Sequence, residues 1–400
     1  MCTPFLSAPG KWGRVPVLPL VLGSVVPLCA AASSLAQQVS FNPLGGASIS
    51  SWSHHSSWSI GAAVSPDGTT AAAKQHGVYS GDGVHPFLWD SQNLYQPLGL
   101  MPDQQEGHPM RFSSDGSALY ALQQDSVNTS SNVKITRWDL SAGTWSTVSD
   151  VGYMRADWEA TGMTADGSAL LFNQGTAPEF DAYFWTPADG PQRIDSALTN
   201  VDYSRGYDIT SDGSVIVGSV TFHGSGMSNA FYWTRATGMR LLDSVYGSDW
   251  SVIATAVSAD GSVVVGAARK SGVVDVFRWT EGTGMVSLGS PSATLTSYKK
   301  LLVSGDGSTI AVSLDWHPAF FWTQHSGFRG IKDILSDGGV DMSTWLLDEV
   351  DAISYDGLSI VGTGWMPEGN REAWMATIPE PATLCLLALG LPLLKRRRKC

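Results

Sequence analysis

Residues Ala254–Gly289 read ATAVSADGSVVVGAARKSGVVDVFRWTEGTGMVSLG, and this stretch decides the fold. Four apolar or alternating runs are separated by turn signals: Thr255–Ser258, Ser262–Ala267, Val274–Thr280 and Met285–Leu288. Asp260-Gly261 is a tight-turn pair between the first two, because Gly accepts positive φ without a Cβ clash and Asp tolerates it. Gly282 and Gly284 punctuate the last two. Short runs rich in Val, Phe and Trp read as strands, so the unit is a four-stranded antiparallel meander.

The unit recurs. Asp-Gly stands at Asp67, Asp115, Asp166, Asp212, Asp260, Asp306 and Asp356, seven copies at intervals of about 48 residues, close to the ~40–50 residues of a propeller blade. A Trp follows each at a similar distance: Trp89, Trp138, Trp185, Trp233, Trp279, Trp322 and Trp374. The expected fold is all-β, a seven-bladed β-propeller of four-stranded antiparallel blades, which leaves only short edges. Its Trp ring is expected to pack between neighbouring sheets, and its Asp residues to hold turns.

Four hundred residues with 43% apolar content can bury a large core, and 15% charged residues with 43 Gly fit a turn-rich β protein. Cys2, Cys29, Cys385 and Cys400 all lie in the two ends, which excludes disulfides and Cys-ligated metals from the body between them. Residues 37–378 carry 17 Lys/Arg against 35 Asp/Glu, a net charge of −18, so nucleic acid is not an expected partner.

Both ends read as addresses. Lys11 and Arg14 precede the apolar run Val15–Ala32, and Ser34-Leu35-Ala36 offers small residues for cleavage, so residues 1–36 are an expected signal peptide. Residues 37–378 are the expected propeller. Val39–Gly45 resembles the fourth strand of a blade with no first three before it, and the seventh unit stops at Ile378 without a fourth strand. The strand near 39–44 is therefore expected to complete the last blade against Glu372–Ile378. Lys332–Asp337 and Asp341–Asp348 are the stretches expected to hold a helical turn. After Pro379-Glu380-Pro381 come thirteen mostly apolar residues, Ala382–Leu394, then Lys395–Lys399. A spanning helix needs ~20 apolar residues, so the segment reads as a transient membrane-engaging signal with a cytoplasmic basic stop.

Residues 379–400, through that Pro-Glu-Pro triplet, short apolar helix and basic cluster, resemble the PEP-CTERM sorting signal, a tail also labelled an ice-binding-protein C-terminal segment. The resemblance implies export, tail removal by an exosortase-type membrane protease, and release or attachment at the cell surface. The body resembles the probable extracellular HAF repeats, through Asn229-Ala230-Phe231-Tyr232-Trp233, Gly238-Met239, Ala256-Val257-Ser258-Ala259-Asp260-Gly261 and Val265-Gly266. That resemblance implies fold and location.

The chain has no His-Glu-x-x-His, nucleophile elbow or phosphate loop. His54-His55 is an adjacent pair that points to opposite faces in a strand, so no metal is expected there, and no cofactor is expected. The Asp-Gly turns lack the spacing of a sialidase Asp-box. One recurring set invites a binding role. Six of the seven blade-to-blade connections carry an aromatic seven to eleven residues before the turn Asp: Trp58, Trp158, Tyr203, Trp250, Tyr298 and Trp345. The remaining connection carries His108. They read either as inward packing at the start of the first strand or as stacking platforms for sugars, with His76, His223 and Trp365 on the same side. The expected function is a binding or structural role at the cell surface, associated with exopolysaccharide. The alternative is a polysaccharide hydrolase or lyase, which paired carboxylates in the central channel would favour.

Overall fold

The computed structural model describes residues 39–44, 59–76, 83–92, 94–126, 130–155, 157–176, 179–292, 297–314, 317–366 and 369–378. These form seven four-stranded antiparallel sheets arranged as a seven-bladed β-propeller. The first, innermost strands of blades 1 to 7 are Ser59–Val64, Glu106–Phe112, Trp158–Met163, Val201–Ile209, Ser251–Val257, Lys300–Val303 and Leu346–Ile353. In six blades the strands follow chain order. In the seventh, the outer strand is Ser40–Pro43, laid beside Arg371–Thr377. The register runs from Ser40 opposite Thr377 to Pro43 opposite Trp374, and Leu44 N–H donates to Ala373 O at 2.9 Å. The strand expected to close the ring does so.

Middle strands are apolar on both faces because each blade is sandwiched between two others. In blade 5, Val264 and Phe277 join Val217 and Ala230 of blade 4. Val263, Val265 and Val276 face Leu301, Ile310 and Val312 of blade 6. Alternation of side chains across a strand requires this division. Among the described residues one apolar cluster fills each of the seven blade junctions. The third-strand Trp residues are packing residues, as expected. Trp89, Trp138, Trp185, Trp279 and Trp374 are buried, while Trp233 and Trp322 are half-buried against their junction clusters.

The Asp-Gly turns are built alike. The Asp Oδ1 accepts the backbone N–H two residues on, as Ser262 N–H does to Asp260 at 2.9 Å. A hydroxyl two residues before the Asp accepts the N–H that opens the second strand, as in Val263 N–H to Ser258 Oγ at 3.0 Å. This second bond recurs in all seven blades, through Ser65, Ser113, Thr164, Thr210, Ser258, Ser304 and Ser354. The turn glycines all have φ between +68° and +74°, which an L side chain adopts only with strain.

Two boundaries differ from the sequence reading. The first strand of blade 5 begins at Ser251, not Thr255, because Ser251–Ala254 pair with Gly266–Arg269. Of the two expected helical turns, α1 (Ile331–Asp337) forms, burying Ile331, Ile334 and Leu335. Asp341–Asp348 does not: a turn at Ser343–Thr344 hands over to the strand at Leu346, whose partners lie on Ser359–Trp365.

Candidate functional site

The inner strands share an irregularity that shapes the axis of the ring. In six blades the pairing of first with second strand skips one residue five positions before the turn Asp: Ala62, Met110, Thr161, Tyr207, Thr255 and Asp351. A bulge turns its extra side chain away from the regular pleat. Lys300–Val303 of blade 6 pair in regular register. All seven blades line a central cavity of about 400 Å³, which contains the bulge residues Ala62, Met110, Thr161, Tyr207, Thr255 and Asp351.

Among the described residues four charged side chains line this cavity: Arg111, Asp208, Lys300 and Asp351. Arg111 reaches from blade 2 to blade 4, where its two terminal nitrogens donate to Ile209 O at 3.3 Å and one lies 3.8 Å from Asp208. Asp208 Oδ1 accepts its neighbour's N–H, and Oδ2 accepts Val257 N–H of blade 5 at 3.0 Å. Burial raises the Asp208 carboxyl above its ordinary value, opposed by Arg111 and the two N–H donors. Asp351 Oδ2 accepts the Thr363 hydroxyl at 2.6 Å, and Thr363 Oγ1 accepts Gly61 N–H of blade 1 at 3.1 Å. Burial raises Asp351 as well, against the pull of Lys300. Lys300 Nζ donates to Asp351 O at 2.8 Å. Lys74, mostly buried on the second strand of blade 1, is pushed below its ordinary value by desolvation, with Asp351 opposing and Lys300 reinforcing the shift.

The end of the ring opposite the Asp-Gly turns carries further ion pairs. Lys299 and Arg371 both meet Glu349. Arg371 lies 3.6 Å from Asp348 and 5.5 Å over the Trp365 ring, whose indole N–H donates to Asp348 at 3.2 Å. His223, exposed in the second-to-third strand loop of blade 4, meets Asp202 at 2.8 Å. His108 lies 3.4 Å from Glu106.

The aromatics of the connections sit where their spacing put them, at or near the start of the inner strands, and those described are half-buried. Trp158 meets Phe172 edge-on at 6.3 Å. Trp250 meets Tyr246 at 5.1 Å. Trp345 meets Phe41 at 5.1 Å, and its carbonyl accepts Lys332 Nζ at 3.0 Å. Tyr298 packs on the junction of blades 5 and 6, and burial raises its phenol. Tyr203 is half-buried on the inner strand of blade 4. Trp58 and Pro379, Glu380 and Pro381 lie outside the described residues, as does His54-His55.

Sequence reading passed over the channel residues because they break the repeat instead of following it. Four and five positions before the turn Asp, most blades carry small or apolar residues. Arg111, Asp208 and Asp351 are the charged exceptions. Aligning the seven units on their Asp-Gly pairs is the signal that exposes them. Among the described residues no three His, Cys, Asp or Glu side chains form a group able to hold a metal ion. No described helix is long and apolar enough to cross a membrane.

The fold and channel define a seven-bladed propeller with a polar, charge-lined axis. No protein-family model matches the chain, and no curated protein sequence matches it. Among solved structures it is similar to an oligogalacturonate lyase in complex with manganese, with a TM-score of 0.55 and 15% identity over 86% of this chain and 98% of that one. It is also similar to an oligogalacturonate lyase from Vibrio parahaemolyticus, with a TM-score of 0.55 and 11% identity over the same shares. At these identities the likeness is one of fold.

Proposed function

We propose that the chain is an exported propeller of the cell surface or extracellular matrix that binds a saccharide at its central channel. One observation carries the choice of binding over catalysis. Asp208 and Asp351, the carboxylates of the cavity, are each tied to donors on a neighbouring blade or strand. A general acid or base must be free to meet the substrate's proton; these two act first as struts. The lining mixes cations, carboxylates and hydroxyls such as Thr161, Tyr207 and Thr255. A lining that both donates and accepts suits a polyhydroxylated ligand. None of the described connection aromatics lines the cavity; they sit at the other end of the inner strands.

Export and sorting belong to the same reading, supported by the Pro379-Glu380-Pro381 triplet, the apolar run and the basic cluster, and by the exosortase-type protease that such a tail implies as a partner. A glycan array probed with the secreted protein tests the ligand. Binding that falls tenfold or more in Lys300→Met, with melting unchanged, and that also falls in Asp351→Asn is the expected result. Absence of glycan binding, or binding indifferent to both changes, sinks the channel. Intact-mass measurement of the secreted protein tests processing, and a mature form retaining Lys395–Cys400 removes the sorting reading.

The second reading, a polysaccharide hydrolase or lyase, rests on the raised carboxyls of Asp208 and Asp351 in one cavity. The two similar propellers are lyases of oligogalacturonate. Incubation with oligogalacturonate, followed by ultraviolet detection of unsaturated product, decides it.

A further inference from the structure

The geometry points to the Asp-Gly face as the face that the protein turns toward a lipid bilayer while its tail is engaged. This inference rests on the membrane-engaging reading of residues 382–399. The register of blade 7 places Thr377 opposite both Ser40 and Ser359. Ile378, 2% exposed, donates its N–H to Leu358 O at 2.7 Å. Leu358 directly follows the Asp356-Gly357 turn. The third strand of blade 7 thus runs from Arg371 at the connection end to Thr377 at the Asp-Gly end and is pinned there. Ser40, where the closing strand begins, lies at the same end.

Only Pro379, Glu380 and Pro381 separate this pinned point from the apolar run that starts at Ala382. The four steps from Ile378 to Ala382 reach at most about 14 Å. A bilayer holding the apolar run is therefore close to the Asp-Gly end of blade 7. The opposite face stands about 23 Å farther off, since seven-residue strands rise ~3.3 Å per residue. Attraction between Lys395–Lys399 and anionic headgroups would hold the tail, whereas the seven turn carboxylates of this face are not drawn to them. The arrangement presents the connection face, with Trp365, His223 and the Arg371 ion pairs, away from the membrane.

Energy transfer to a headgroup acceptor tests this on the full chain. The four end cysteines, Cys2, Cys29, Cys385 and Cys400, are replaced by alanine, and the chain is reconstituted into phosphatidylethanolamine–phosphatidylglycerol vesicles. One donor is attached at Ser214→Cys, at the Asp-Gly turn of blade 4, or at Ser225→Cys, in the loop on the other face of the same blade; both positions are exposed. Blade 4 lies across the ring from blade 7, so an edge-on attachment through blade 7 leaves the two labels equally far from the lipid. Several-fold stronger transfer from Ser214→Cys is expected. Equal transfer, or stronger transfer from Ser225→Cys, overturns the orientation while leaving anchoring intact. A full chain that does not float with the vesicles overturns the anchoring reading itself, and the orientation with it.

Discussion

The two ends of the inner strands differ. At the Asp-Gly end, seven blades repeat one solution: a hydroxyl, an Asp, a Gly at positive φ and the same two side-chain bonds. Toward the channel and the opposite end the side chains diverge from blade to blade. Blade 2 offers Arg111, blade 4 Tyr207 and Asp208, blade 6 an unbulged strand with Lys300, and blade 7 Asp351. Repetition there is broken by side chains of which Arg111, Asp208 and Lys300 find partners on other blades. The difference teaches that this chain spends its repeat on holding the ring, and its exceptions on the axis. Stability should therefore respond to repeat positions and ligand binding to the exceptions.

The largest expected effect comes from opening the ring. A chain lacking residues 37–45 exposes the edge of Arg371–Thr377 and should aggregate instead of eluting as a folded monomer in size-exclusion chromatography. A compact, soluble product would mean that closure is dispensable. Next, Trp374→Ala removes a fully buried ring whose indole N–H has no partner among the described residues, so the loss is packing alone. Chemical denaturation should show a loss of about 3–5 kcal/mol. Ser258→Ala strands the Val263 N–H in a buried turn and should cost about 1–3 kcal/mol.

The paired change Arg111→Met with Asp208→Asn sharpens the contrast from the other side. The pair is part-buried, its side chains 30% and 21% exposed, so removing both partners together should cost no more than about 1 kcal/mol. A loss larger than that of Ser258→Ala would break the division between scaffold and axis.

The smallest effects are on pH dependence, and they have opposite signs. Hydrogen bonds from the Ser113 hydroxyl and the Ser117 N–H hold Asp115 down at about 2. Its contribution is present above the unfolded value of ~3.9 and is lost as pH falls toward the folded one. Burial raises Asp208 instead. The native state then binds that proton more tightly than the unfolded chain, so stability declines as pH rises from ~3.9 through the raised value. Asp115→Asn should flatten the acid side of a stability–pH curve, and Asp208→Asn the decline that sets in as pH rises above ~3.9. Identical curves for the two variants would show that both carboxyls sit in equivalent surroundings.

Most of the scaffold was legible because it repeats. Asp-Gly followed by Trp gave seven blades, and the unpaired strand at 39–44 matched the missing fourth strand of blade 7. The Ser or Thr two residues before each Asp stood in the same pattern, yet its bond across the turn needs a three-dimensional register to be seen. The site was less legible. The connection aromatics are placed correctly at the strand starts, but whether Trp158 or Trp345 faces solvent or a neighbouring blade depends on Phe172 and Phe41, which spacing does not reveal. Arg111 and Asp208 meet only because bulges in two different blades aim both at the axis, and a single substitution per blade leaves no periodic trace.

The closing strand also sets a clock. Ser40 pairs with Thr377, so the closing strand is synthesised 377 − 40 = 337 residues before its partner and must wait for it. At about 5–20 residues per second the wait is roughly 15–70 s for synthesis alone, during which Arg371–Thr377 does not yet exist and Ser40–Pro43 has no ladder to join. A long apolar strand left unpaired for that time would invite pairing with another chain. This one is four residues, Ser-Phe-Asn-Pro, ending in a residue that cannot donate to a ladder. Its weakness as a strand is what lets it wait.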